Sequence, residues 1–391
     1  MNAFMTKEAL YGIWILAAAE QKVSITHKAL KHFPSFEAVY SASLSEFNPN
    51  MFSEDEISHF MKKDISKALD ISEYCDKNNI SVITYYDDGY PPMLHGIENP
   101  PILLFVKGNL ANTLKNPLIT IVGTRSCSTS AGQFTAKISR ELAQCGFTIV
   151  SGVASGIDMF AQKGALSVRK PNIAVLPCGV DIYYSKECKE LYSFTEKYGA
   201  IISEYLPKTY ANRYSFKLRN RILSGISHAT LVVESPPESG ALITAEHARR
   251  QGRPVFAVPK KLERIELTDL SGTNDLLSEG AMECNGSEDI INKLCGNEDG
   301  RANALEQLRR EKPARKYIKE LKHETIIQRD ISDLTTDEQK VYLCVAEGAY
   351  SIDNIIDKTQ MSFGPLMGIL QRLELLDYIE CTKGGNFKKK N

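Results

Sequence analysis

Three basic side chains and an amide crowd into the segment Phe216-Lys-Leu-Arg-Asn-Arg221, next to Tyr214. Cations interleaved with aromatic rings are the chemistry that holds single-stranded nucleic acid, cations at the phosphates and rings under the bases. With a helix over Arg219–Ser227, these cations crowd its first turn and oppose the positive end of its dipole, which calls for an external reason. The plainer reading is a solvated, charged first turn. A second anion-binding feature lies upstream, where Gly123-Thr-Arg-Ser-Cys-Ser128 follows a strand and opens a helix. Arg125 stands there as a permanently charged, bidentate phosphate donor. This loop is not a dinucleotide fingerprint, because only Gly123 stands where three glycines are required.

Four further segments complete a set of six polar loops: Ser151-Gly-Val-Ala-Ser-Gly-Ile-Asp158, Glu234-Ser-Pro-Pro-Glu-Ser-Gly240, Gly252-Arg253 and Ser271-Gly-Thr-Asn274, with Leu218-Arg-Asn-Arg221 as the sixth. Each reads as a turn between a strand and a helix, and a helix N-terminus offers unpaired N–H groups to an anion. Ser151 and Gly152 supply small residues for close approach, and Asp158 reads as a helix cap. Glu204 and Glu234 follow strands and have the chemistry of general bases, or of partners for the arginines of the rim. The seven histidines show no metal-ligand spacing, no cysteine has a base beside it, and no Walker motif is present. No catalytic residue, metal or cofactor is assigned.

The elements that must position these loops follow from the apolar pattern. Leu118–Val122, Thr148–Ser151, Ile173–Leu176, Ala200–Ser203, Ala229–Val233 and Pro254–Ala257 read as strands. Helices Ala131–Cys145, Ile157–Val168, Glu187–Tyr198, Arg219–Ser227 and Ala241–Arg250 alternate with them. Short apolar strands alternating with helices predict a parallel sheet covered on both faces, and right-handed crossovers put the strand-to-helix loops on one edge. Ahead of this run, residues 1–78 read as a small helical domain (Lys7–Ala19, Ile25–His32, Phe36–Ser41, Glu54–Phe60 and Lys63–Asn78). Ile80–Tyr85 and Ile102–Val106 are two lead-in strands. Residues 296–330 read as a charged linker, and 331–391 as three helices and a hairpin, a small winged helix.

At 391 residues the chain has room for two or three domains, and 43% hydrophobic with 24% charged residues describes a soluble globular protein. The best apolar stretch, Leu10–Ala19, is too short to span a membrane and lacks the flanks of a signal peptide. Nine singly scattered cysteines predict free thiols in a reducing cytoplasm. A net charge of −1 confines any phosphate binding to a local surface.

Several of these segments resemble, in order, the motifs of the DNA-processing protein A family (DprA, also called Smf). They are Leu118-Ile-Thr-Ile-Val-Gly-Thr-Arg125, Ser151–Asp158, Ser203-Glu-Tyr205, Arg219-Asn-Arg-Ile-Leu-Ser-Gly-Ile-Ser227, Ser239-Gly-Ala-Leu-Ile-Thr-Ala245, Ala257-Val-Pro259 and Gly272-Thr-Asn274. Asp88-Gly-Tyr-Pro-Pro92 and the segment from Asn99 to Asn109 resemble its lead-in, so the likeness spans about residues 80–295. Lys260 and Lys261 follow Ala-Val-Pro where the family has glycine, and Tyr184-Ser185 and Cys188 depart from its Tyr-Pro and Asn.

The resemblance implies an α/β, Rossmann-like DNA-binding domain at 79–295, a sterile-alpha-motif-like domain at 1–78 and a winged helix at 331–391. It implies a cytoplasmic, non-catalytic protein that binds and protects single-stranded DNA and loads RecA during natural transformation, as a homodimer through the Rossmann-like domain. Carried onto this chain, the DNA pocket comprises Gly123, Thr124, Arg125, Ser151, Gly152, Lys217, Arg219, Asn220 and Arg221, with Ser239, Gly240, Thr273 and Asn274 further along the rim. The competing reading is a nucleotide phosphoribohydrolase on the same architecture with Glu234 or Glu204 as base, though its Pro-Gly-Gly-x-Gly-Thr loop is absent. A third gives duplex DNA to the winged helix. Its helix Ser362–Leu375 carries only Arg372, so partner contact or autoregulation is the expectation there.

Overall fold

The computed structural model describes residues 5–259, 271–295, 334–346, 350–375, 378–382 and 386–389. The chain divides into two compact units, Met1–Leu305 and Glu306–Asn391. The expected linker at 296–330 and the pair Lys260-Lys261 lie outside the described residues.

In the first unit, the apolar runs become strands because both of their faces are covered. All five residues of β3 (Leu118–Val122) are buried, as are all four of β4 (Thr148–Ser151), β5 (Asn172–Val175), β6 (Ala200–Ser203) and β7 (Ala229–Val232). With β1 (Ser81–Thr84), β2 (Leu103–Gly108), β8 (Val255–Ala257) and β9 (Met282–Glu283) they form a nine-stranded sheet in the order β1-β2-β6-β5-β4-β3-β7-β8-β9. From β6 to β9 all neighbours are parallel, and β1 and β2 add an antiparallel margin. Between the strands run α6 (Leu110–Thr113), α7 (Thr129–Gln144), α8 (Ile157–Ser167), α9 (Lys189–Tyr198), α10 (Arg213–Ile226), α11 (Gly240–Arg250) and α12 (Ser271–Ser278), and α13 (Ser287–Leu294) follows β9.

The order of strands fixes where a ligand can sit. From β3 the chain winds outward through β4 and β5 to β6, then returns to place β7 on the other side of β3. Loops leaving β3 and β7 therefore diverge and open a crevice at the carboxyl ends of the two central strands, the topological switch point of a doubly wound sheet.

Five helices precede the sheet: α1 (Lys7–Ala18), α2 (Val23–His32), α3 (Phe36–Ser41), α4 (Glu54–Met61) and α5 (Ser66–Lys77). Ser53 and Glu56 cap α4 reciprocally, and Trp14, Phe33, Phe47, Phe52 and Phe60 build an aromatic core. These helices sit directly on the sheet. A Cβ on Gly12 would fall 2.8 Å from Leu103, the Gln21 side-chain oxygen accepts from the Leu206 amide at 2.9 Å, and Tyr74 donates to Asp181 at 3.0 Å.

The second unit holds helices Thr336–Ala346, Ile352–Thr359 and Phe363–Leu375 and the hairpin of β10 (Ile379–Cys381) with β11 (Phe387–Lys389). Val341, Val345, Ile355, Leu366, Leu370, Leu373 and Tyr378 form its core. Arg372 pairs with Glu338 at 2.8 Å, and Glu338 is buried. The one cation of the expected recognition helix is thus tied to its own domain, while the start of that helix exposes Phe363, Gly364 and Pro365.

Candidate nucleic-acid interface

The crevice at the switch point has a volume of about 300 Å³ and is lined by Gly123, Thr124, Arg125, Ala154, Asp158, Phe216, Arg219, Asn220, Pro236, Ser239, Gly240 and Thr244, among others. Three loops build it, and backbone contacts lock them together. The Thr124 amide donates to the Glu234 carbonyl at 2.7 Å, and the Thr124 carbonyl accepts from the Ile157 amide at 3.1 Å. Gly156 makes this junction possible: its φ is +77°, and a Cβ there would collide with the Thr124 carbonyl and the Arg125 backbone.

Helix α10 forms the wall opposite. The sequence reading starts this helix at Arg219; in the structure it starts six residues earlier, because Asn212 caps it. The Asn212 side chain accepts from the Tyr214 and Ser215 amides, each at 2.9 Å, and the Ser215 hydroxyl accepts from the Asn212 amide at 2.9 Å. Leu218–Arg221 is therefore not a loop but helix interior, and the argument from cations opposing the first-turn dipole does not apply to Lys217, Arg219 or Arg221. What replaces it is the 3.6-residue period, which puts Phe216, Arg219, Asn220 and Leu223 on one face, and that face lines the crevice.

Phe216 is the centre of the wall. The guanidinium of Arg125 lies 4.7 Å from its ring centroid, that of Arg219 lies 5.9 Å away, and Tyr184 meets it edge-on at 5.4 Å. Arg125 is exposed and Arg219 is buried, so one cation guards the mouth and the other the floor. Arg219 is held from below by the Val175 carbonyl, by the Gly152 carbonyl at 3.2 Å and by the Asn220 side-chain oxygen at 3.2 Å. Burial pushes the Asp158 carboxyl above its usual range, while Arg219 and the Gly152 and Ala154 amides pull it back down. Asp158 accepts from the Gly152 amide at 3.1 Å, so it closes its own loop rather than capping the helix, whose cap is Gly156.

Gly152 is glycine for a packing reason. A Cβ there would lie 2.6 Å from both Arg219 Nη1 and Asp158 Oδ2. Neither Gly152 nor Ser151, whose hydroxyl donates to the Ile121 carbonyl at 2.7 Å, lines the crevice; both stand behind it. Arg221 is also elsewhere. It is buried and pairs with Glu204 at 2.5 Å, and burial raises the Glu204 carboxyl against the opposing pull of Arg221. Lys217 is exposed on α10 beside the crevice.

Ser239 caps α11, accepting from the Ala241 amide at 3.2 Å, and Asn220 ties that turn to α10 through the Gly240 carbonyl at 3.0 Å. Both α8, through Asp158, and α11, through Gly240 and Ala241, bring their first turns to the crevice, and the Ala241 and Leu242 amides of α11 are taken by Ser239. Thr273 and Asn274 belong to α12, Thr273 buried and Asn274 exposed, and neither lines the crevice. Gly252-Arg253 joins α11 to β8, a helix-to-strand turn, so it lies on the opposite edge of the sheet from the rim. The rim of six loops thus reduces to the loops after β3, β4 and β7 with the face of α10.

The two candidate bases are engaged. Glu234 is buried, and its Oε2 accepts from the Ser128 amide at 3.0 Å and hydroxyl at 3.1 Å. Glu204 holds Arg221. Neither carboxylate lines the crevice, so the two bases named by the hydrolytic reading stand outside it. The sequence reading gives no role to Thr244, which lines the crevice with Pro236 of the Glu234–Gly240 loop, and it leaves Arg213, exposed one turn before Lys217, outside α10. The Asn212-to-Ser215 cap was the available signal, since it fixes the phase of every later residue of α10.

Residues 81–295 match the family described as DNA recombination-mediator protein A, and residues 328–385 match the DprA winged helix domain. Protein Smf of Synechocystis sp. is 31% identical over 331 residues, 80% of this chain and 81% of the relative. DNA processing protein DprA of Streptococcus pneumoniae is 38% identical over 206 residues, 52% of this chain and 71% of the relative. An X-ray structure of DprA from Streptococcus pneumoniae superposes with a TM-score of 0.61 at 30% identity, covering 74% of this chain and 98% of that one. With the core match covering more than half of its residues, the chain belongs to the DNA recombination-mediator protein A family.

Proposed function

We propose that the switch-point crevice binds single-stranded DNA, and that the protein protects this DNA in the cytoplasm and loads RecA onto it during natural transformation, acting as a homodimer through its Rossmann-like domain. The observation that carries the reading is the pairing of exposed Arg125 with Phe216 at the mouth of the crevice. A ring with a cation on it offers a base a stacking surface and its phosphate a counter-charge within one nucleotide's reach. Bases are available for such stacking in single strands and not in duplexes, so the geometry favours the single strand. Gly123, Thr124, Asn220, Ser239 and Gly240 surround the mouth with backbone and small polar groups, which bind without selecting among bases. Membership of a recombination-mediator family supports the step to RecA, and no helix of the described residues is long and apolar enough to cross a membrane.

The test is a gel-shift series on matched single- and double-stranded oligonucleotides, followed by RecA filament assembly on single strands pre-coated with single-strand-binding protein. Preference for the single strand and faster filament growth are expected. Equal binding to the duplex would overturn the crevice reading, and no acceleration of RecA would remove the loading step.

A further inference from the structure

Two aromatic side chains outside the crevice are largely exposed. Tyr210, two residues before the Asn212 cap, is 77% exposed and Tyr214, two residues after it, is 67% exposed, more than any other large hydrophobic residue described. A lone exposed tyrosine is unremarkable on a protein surface. Two that bracket one helix start, beside two exposed cations, are not accounted for that way. At 100° per residue along α10, Phe216 and Asn220 face the crevice, Arg213 and Lys217 stand one turn apart beside that face, and Tyr214 lies beyond them. Passing outward around the helix, the surface reads ring, cation, cation, ring. Among the described residues Arg213 and Lys217 make no ion pair, whereas nearby Lys208 sits 3.9 Å over the Tyr74 ring.

We infer that a single strand leaving the crevice continues over the N-terminal half of α10, its phosphates against Arg213 and Lys217 and its bases stacked on Tyr214 and Tyr210. The inference rests on the single-strand reading of the crevice and extends it into a second stacking platform. Cations with rings to either side offer separate partners to the phosphates and the bases of a strand, and Arg213 and Lys217 adjoin the Phe216–Asn220 face of α10. A protein partner would also bury exposed tyrosines, but two exposed cations beside them, with no ion pair among the described residues, favour a polyanion.

The experiment is fluorescence anisotropy with oligo(dT) from about 4 to about 20 nucleotides, a span that brackets ordinary single-strand site sizes. The variant Tyr210→Ala,Tyr214→Ala should bind the shortest oligonucleotides like the parent and the longer ones about ten-fold more weakly, the loss of one to two stacked bases. Replacing both by Phe should restore long-oligonucleotide binding, because stacking needs the ring and not the hydroxyl. Arg125→Ala should weaken binding at every length. If Arg125→Ala weakens binding but the tyrosine variant matches the parent at all lengths, the extended track is wrong while the crevice stands. If Arg125→Ala has no effect at any length, the crevice reading itself fails. A tyrosine variant that binds every oligonucleotide normally but loses self-association or RecA stimulation would assign the surface to a protein and overturn the track.

Discussion

Helix α10 carries two kinds of arginine and lysine on one continuous stretch. Arg213 and Lys217 are exposed and make no ion pair among the described residues, while Arg219 and Arg221 are buried and engaged, the first by carbonyls of β5 and the loop after β4, the second by Glu204. Residue type is nearly the same, and what lies beneath each side chain decides its role. A cation over solvent is available to a phosphate. One over a strand end instead satisfies carbonyls and carboxylates that would otherwise be buried without partners. Arg219 stands between these cases, fixed from below yet facing the crevice with its charge.

Four substitutions probe this division, beginning with the largest expected effect. Arg221→Ala strands the buried Glu204 carboxylate, and removing one member of a buried pair costs about 3–5 kcal/mol. Chemical denaturation should show that loss, while the fraction still folded keeps its affinity for single strands. Intact stability with lost DNA binding would erase the contrast between buried and exposed cations. Gly152→Ala pushes a methyl group into Arg219 and Asp158, for about 1–3 kcal/mol of overpacking, read as a lower denaturation midpoint. Because Arg219 must shift, its single-strand affinity should fall as well, and an unaltered affinity would show that the floor cation contributes nothing to binding.

The exposed cations should behave in the opposite way. Arg125→Ala removes a charge-assisted contact and one side of the Phe216 stack, so affinity should fall about ten-fold while stability stays within about 0.5 kcal/mol. Lys217→Ala is the mildest, a few-fold loss with the slope of log affinity against log salt reduced by about 0.7, the value for one single-strand phosphate. A salt slope identical to that of the parent would take Lys217 off the track.

Much of this architecture was legible because local pattern and tertiary role agree. β3 reads as a buried strand from Leu-Ile-Thr-Ile-Val alone, and the alternation of such runs with helices implies the parallel sheet and its ligand-bearing edge. The sequence pattern starts α10 six residues late because Arg213–Leu218 has no apolar periodicity to announce a helix; its signal is the cap at Asn212, a local hydrogen-bonding choice. The separation of buried from exposed cations was not legible at all. It depends on Glu204, the Val175 carbonyl and the Gly152 carbonyl, which are remote in sequence and meet α10 only once the sheet order is set. For the same reason Gly152 reads as a ligand contact in the sequence and proves to be clearance for Arg219.

The central claim is that Arg125 and Phe216 act as one unit on single-stranded DNA. A double-mutant cycle with Arg125→Ala, Phe216→Ala and the combined variant, measured by oligo(dT) anisotropy at several salt concentrations, tests it most directly. Each single variant should bind about ten-fold more weakly, the double should lose less than the sum of the two, and the salt slope should fall only where Arg125 is replaced. Binding equal to the parent in all three variants at every salt concentration would contradict the account.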